Sequence, residues 1–189
     1  MFFLSRPSPP AIERFLDASA GLPLSYSPVG LARSGAQGFR IDESLVTIGK
    51  GEAAYRRAVA ALRDWTQFKL GWTELLPAAA ANTPGTVVAI LIRHLGFWSL
   101  NGARVVYSIG TPDAAEYGYA YGTLSNHAER GEEIFAVRFN QQTGDVTYQL
   151  RAASRPRSWL AAAGYPVTRA LQARFRRDSA AAMVRFLAT

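Results

Sequence analysis

The feature that most constrains this chain is a run of six segments in which apolar residues recur at period two, followed by one stretch of helical period. Trp72 to Leu76, Thr86 to Leu95, Ala103 to Ile109, Tyr117 to Leu124, Glu132 to Asn140 and Val146 to Ala153 each read as a strand. The residues that separate them are turn formers: Pro84-Gly85, Asn101-Gly102, Gly110 to Asp113 and Gln141 to Gly144. Connections this short join antiparallel neighbours, because a parallel crossover needs about a dozen residues or more. The chain is therefore committed to an antiparallel sheet.

What flanks the strands decides how that sheet is covered. Ser8 to Ala18 predicts a short helix opened by Pro9 and Pro10, with Ile12, Phe15 and Leu16 on one side. Gly21 to Gly38, rich in Pro, Ser and Gly, predicts a loop. Phe39 to Ile48 predicts a further strand, turned by Gly49 to Gly51 into a helix that runs to about Phe68. Ala54, Ala58, Ala61, Leu62, Trp65 and Phe68 make one stripe of that helix. Arg157 to Ala188 predicts a closing amphipathic helix interrupted at Gly164-Tyr165-Pro166, with Leu171, Phe175, Ala182 and Phe186 toward the sheet and Arg169, Arg176 and Arg177 in water.

No linker divides the chain, so 1–189 is expected as a single domain, with 1–38 an N-terminal helix and loop and 39–189 the core. An α+β arrangement, an antiparallel seven-stranded curved sheet around a long C-terminal helix, buries both kinds of stripe. In element order it resembles the helix-grip architecture of START-like and pollen-allergen proteins.

Composition removes whole classes of chemistry. With no cysteine, disulfides, thiol nucleophiles and cysteine-held zinc or iron–sulfur clusters are excluded. A hydrophobic share of 49% supplies a real core and excludes intrinsic disorder. The start, MFFLSRPSPP, has no basic region followed by an apolar one, and the run Val87 to Ile92 is far too short to span a bilayer, so a cytoplasmic chain is expected. Residues 1–150 hold 13 Lys and Arg against 13 Asp and Glu, so the net charge of +7 lies after them, where eight arginines face Asp178 alone. A basic helix of that kind can approach an anionic membrane surface; with 19 arginines in the chain it also reads as a solvated face. Nucleic-acid binding is disfavoured, because the aromatic residues are not interleaved with the basic cluster.

The stretches LSYSPVG (Leu24 to Gly30), IGKGEAAYRRAVAALRDWTQFKLGW (Ile48 to Trp72), PGTVVAILIRHLGFWSLNGARVVY (Pro84 to Tyr107), YGYAYGTLSNHAERGEEIFAV (Tyr117 to Val137) and SRPRSWLAAAGYP (Ser154 to Pro166) resemble the family catalogued as domain of unknown function 1990. YGTL followed by HAERGEE, and SRPR, are its most specific phrases, and the resemblance runs from about Leu24 to Phe186. It implies a single-domain family of bacteria and plants, and it carries no catalytic residue over.

Candidate site residues follow from polar groups on apolar faces. Glu133 precedes Phe135, Val137 and Phe139 on one face, so its carboxyl must be paired, hydrogen-bonded or neutral. Arg93, on the stripe of Val87, Ala89, Leu91 and Leu95, is the expected ion-pair partner. His94, in line with Val88, Ile90 and Ile92, is a core histidine or a general base. His127 and Glu129, if extended, project to one side, but two such ligands are too few for zinc and no metal site is expected. Otherwise Glu129 and Arg130 belong to a solvated hairpin.

Tyr117, Tyr119 and Tyr121 form a stripe suited equally to a ligand wall and to an exposed or dimerising sheet face, backed by Gly118, Ala120 and Gly122, whose small size would let a helix lie close. Trp98, Phe135 and Phe175 are the other expected ligand contacts. Gly49-Lys50-Gly51 is not a phosphate loop, and neither GxGxxG, GxSxG nor HExxH occurs, so no cofactor is expected. The resulting expectation is a cavity between sheet and C-terminal helix that binds an apolar or aromatic small molecule. Acid–base catalysis by His94 or Glu133, with Arg93 in support, is the alternative. Anionic lipid or nucleic-acid contact through the arginine-rich helix comes third.

Overall fold

The period-two segments fold as one antiparallel sheet. The computed structural model describes residues 1–35, 37–156 and 165–188; the N-terminal part of the expected closing helix, 157–164, lies outside them. In chain order the elements are β1 (Phe2–Phe3), α1 (Pro9–Ala20), α2 (Leu31–Ser34), β2 (Arg40–Lys50), α3 (Glu52–Arg63), β3 (Thr73–Leu76), β4 (Val87–His94), β5 (Phe97–Gly110), β6 (Glu116–Thr123), β7 (Glu129–Phe139), β8 (Asp145–Pro156) and α4 (Tyr165–Ala188). The strand order is β2-β8-β7-β6-β5-β4-β3, with β1 added beside β5.

Alternation sorts the sheet into two faces with different partners. Inward, Val88 and Ile90 of β4, the three tyrosines of β6 and Phe135 and Val137 of β7 pack on Ala58, Leu62, Trp65 and Phe68, and on Ala180 and Met183 of α4. Outward, Ala89, Leu91 and Leu100 receive Ile12 and Phe15 of α1, while Ala120, Ile134, Ala136 and Ala153 receive Tyr26, Leu31 and Ala32. The N-terminal segment is thus the outer cover of the sheet and α3 with α4 the inner one. This is the helix-grip arrangement.

Three local expectations are corrected. Asn101-Gly102 is not a turn but lies inside β5, because Leu95-Gly96, with φ of 49° and 81°, makes the β4–β5 hairpin. A two-residue turn of that hand matches the strand twist. The helix expected to reach Phe68 ends at Arg63, since Trp65 takes a left-handed conformation and buries its ring while its Nε1 donates to the Ala80 carbonyl at 2.7 Å. The small residues behind the tyrosine stripe do admit a close neighbour, but it is a loop: a side chain at Gly122 would collide with the Tyr26 hydroxyl and with Leu24.

The closing helix also corrects a charge assignment. Arg169 donates to both Asp42 carboxylate oxygens, and Arg176 stands 3.9 Å from the same group, so neither is in water. Arg177 is exposed as expected. Asp42 is why: its inner-face position on β2 offers the helix a carboxylate, and the Arg169 hydrogen bonds hold that carboxyl below the usual carboxylate range.

Candidate functional site

Between the inner face of the sheet and α4 the packing opens into a cavity of about 300 Å³. Its apolar walls come from Phe68, Trp72, Ile90, Ile92, Leu171 and Phe175, and its polar groups from Tyr121, Glu133, His94, Ser99, Asn101 and Arg176. The roof is aromatic because the short helical turn Thr66–Phe68 sets Phe68 against Phe175, ring centroids 5.1 Å apart, and Trp72 stands edge-on to Phe175 at 6.4 Å. Below these, Tyr119, Phe135 and Trp65 close the packed core. The cavity therefore occupies the end of the sheet that α3 does not cover.

Glu133 lies at the boundary between cavity and core. Tyr121, directly opposite it on β6, donates to its Oε2 at 2.5 Å. Enclosure by protein pushes its carboxyl up to about 7, an effect that the Tyr121 bond opposes and nearby Glu129 reinforces. The expected ion pair with Arg93 does not form. Arg93 is exposed on the other face of the sheet, over the Trp98 ring at 5.9 Å, because it alternates with Ile92 and His94. Phase along one strand separates the two residues more surely than distance.

At the other end of the cavity His94 places Nε2 3.2 Å from Ser99 Oγ, and burial lowers its pKa. Asn101 Nδ2 donates to the same Ser99 oxygen at 3.1 Å, and its Oδ1 accepts the Ala128 N–H. His127 does not pair with the Glu129 carboxyl; its Nδ1 accepts the Glu129 backbone N–H at 3.0 Å, because the residues before β7 turn rather than extend. Glu129 is no solvated side chain: it accepts from Gln172 of α4 at 2.7 Å, and burial raises its pKa. Arg130 is half-buried. Among the described residues no group of three or more potential ligands gathers around a metal-sized space.

Of the expected ligand wall, the cavity brings together Tyr121 and Phe175 with Glu133 and His94. Tyr117, Tyr119 and Phe135 share its face but belong to the packed core: Tyr119 accepts from Gln67 and donates to the Leu62 carbonyl, and Tyr117 donates to Asn82. Trp98 lies on the outer face with Phe3 and Leu16. The tyrosine stripe, five residues from Tyr117 to Tyr121, runs out from under the cavity, and Trp98 alternates onto the other face.

One polar centre escaped the sequence reading. Glu132, 2% exposed on the outer face, accepts from the Tyr26 hydroxyl at 2.8 Å, the Tyr107 hydroxyl at 2.6 Å, and the backbone N–H groups of Gly30 and Ala32 at 2.8 and 3.2 Å. Tyr107 reaches it only because a bulge between Val105 and Tyr107 reverses the alternation of β5. The available signal was the doubled glutamate itself, which puts a carboxyl on each face of an apolar strand.

No helix among the described residues is long and apolar enough to cross a membrane. A solved structure of a hypothetical protein from Helicobacter pylori superposes with a TM-score of 0.57 over 85% of this chain and 94% of its own, at 12% identity, and so shares the fold. By sequence, a UPF0548 protein of Deinococcus radiodurans is 35% identical over 98% of both chains. A UPF0548 protein of Dictyostelium discoideum is 36% identical over 78% of this chain and 72% of its own. The family model described as a domain of unknown function, DUF1990, matches residues 25–182, and this chain belongs to that family.

Proposed function

We propose that the protein binds an apolar or aromatic small molecule in the cavity between the sheet and α4. The observation that carries this reading is a cavity of about 300 Å³ with aromatic and aliphatic walls and a few polar groups at its ends, the composition from which small-molecule pockets are made. Native mass spectrometry of the purified protein, before and after denaturation, tests it by detecting a retained small molecule. Leu171→Trp, which adds bulk to the wall, should abolish retention while leaving the fold intact by circular dichroism. A protein that retains nothing and gains no thermal stability from any apolar aromatic compound counts against the reading.

Acid–base catalysis in the same cavity is favoured by one observation, a Glu133 carboxyl pushed up to about 7, where it can both give and take a proton. Arg93 plays no part in that reading, and Arg130 and Arg176 are the arginines that line the cavity. Turnover of a bound compound that is lost in Glu133→Gln would establish it. The arginines of α4 lend less to an anionic-surface reading, since Arg169 and Arg176 serve Asp42, and Arg174 and Arg177 pair with Asp178.

A further inference from the structure

Two carboxylates share one rung of the inner face. Asp42 on β2 and Glu133 on β7 both pair with Ala152 of β8, which places them about 10 Å apart across the sheet. Asp42 takes two of the arginines of α4, Arg169 and Arg176. Glu133 receives a single protein donor, the Tyr121 hydroxyl on Oε2, and its other oxygen, Oε1, has no hydrogen bond from the described residues and belongs to the cavity wall.

The remaining groups around Glu133 do not change this. From its own strand Glu129 adds a like charge, which Arg176 of α4 offsets in part; from β8 Tyr148 is engaged with Ser179; from α4 Arg169 is held by Asp42, and Gln172 by Glu129. Once an apolar molecule fills the cavity, the ionised form of Glu133 would lose the last space from which water could solvate it. The neutral form pays only the smaller cost of an O–H left without an acceptor, and a ligand acceptor removes that cost. With Tyr121 donating to Oε2, Oε1 is the oxygen left to carry the proton and to offer it to a ligand in the cavity. A ligand ammonium would meet the guanidinium groups of Arg130 and Arg176, which line the same cavity.

We propose that the cavity selects a neutral aryl or alkyl compound bearing a hydrogen-bond acceptor, a ketone or its equivalent, and that Glu133 holds this oxygen as the protonated acid. The inference rests on the cavity being a ligand site. It makes the molecule's polar end a carbonyl-class oxygen at Glu133 Oε1, with the apolar body under Phe68, Trp72 and Phe175. Binding then takes up a proton: affinity is full while Glu133 is neutral and declines as pH rises through the range in which it ionises, around 7.

A pair of isosteric probes tests it, naphthyl methyl ketone and isopropenylnaphthalene, which differ in replacing the carbonyl oxygen by a methylene group. Titration calorimetry near about pH 6 should show the ketone binding roughly tenfold more tightly than the hydrocarbon, the worth of one buried hydrogen bond. By about pH 9 that preference should vanish, with both probes weakened by the charge they would bury and the ketone losing roughly tenfold more than the hydrocarbon. Glu133→Gln keeps a donor of the same shape, so it should retain the preference and lose its pH dependence. Equal binding of the two probes at both pH values would overturn the inference and leave the cavity reading standing. Binding of neither probe would overturn both.

Discussion

Glu132 and Glu133 are neighbours in sequence and opposites in structure. Glu132 faces outward into a closed packing, where two tyrosine hydroxyls and two backbone N–H groups supply four donors to one carboxylate. Glu133 faces inward to a cavity with, among the described residues, a single donor, Tyr121. The first centre binds the loop from Tyr26 to Ala32 onto the sheet and has no acceptor capacity left to use. The second is under-supplied, and a carboxyl with an open oxygen beside empty space is disposed to bind something. Adjacent glutamates, one fully buried and one half-buried at a cavity, thus differ in meaning by how many donors reach them.

The largest effect should come from Glu132→Ala, which orphans all four donors. Urea unfolding should show a loss of about 3–5 kcal/mol, on the scale of removing one partner from a buried polar network. A loss near zero would mean that the N-terminal loop is not held by this carboxylate, and the contrast would collapse.

Glu133→Gln should act in the opposite direction and only above acidic pH. The folded-state carboxyl titrates at about 7 against an ordinary 4.5, so between these values the folded protein holds a proton that the unfolded chain has released. Stability therefore falls as pH rises through that window and levels off above it, by up to about 3 kcal/mol in all. The amide variant lacks this slope. Urea midpoints for the two proteins should converge near about pH 4 and favour the variant near about pH 8.

Asp42→Asn sharpens the comparison within the inner face, because Asp42 shares Glu133's rung but has cations. Its pKa is depressed, so its contribution is present at neutral pH and lost as pH falls through the acidic range. A partly buried pair of this kind is worth about 1–2 kcal/mol. The smallest effects belong to Arg93→Ala and Arg177→Ala, both exposed, each within about 0.5 kcal/mol in the same assay. A large loss at Arg93 would reopen its pairing with Glu133.

Much of the fold was legible because its cause is local. Apolar residues alternating over Val146 to Ala152, or recurring along Ala58, Leu62 and Trp65, have one way each to reach a common core. Errors fell where two local signals compete. Asn101-Gly102 is a strong turn dipeptide, yet Leu95-Gly96 takes the turn and Asn101 stays extended among the polar groups of the cavity. In the site, Glu133, His94, Tyr121 and Phe175 were legible as polar or aromatic residues on an inner stripe. Arg93 and Trp98 were assigned to the site although their own stripe runs along the other face.

By itself the sequence determined the antiparallel sheet, its two apolar faces and the helix that closes one of them, because periodicity is read within a few residues. Only the tertiary structure decided which buried carboxyl is satisfied and which is open. That choice depends on Tyr26, more than a hundred residues from Glu132, on a bulge that turns Tyr107 outward, and on α4 giving its arginines to Asp42 instead of to Glu133. Charge satisfaction is a property of neighbours in space, and no period along the chain encodes it.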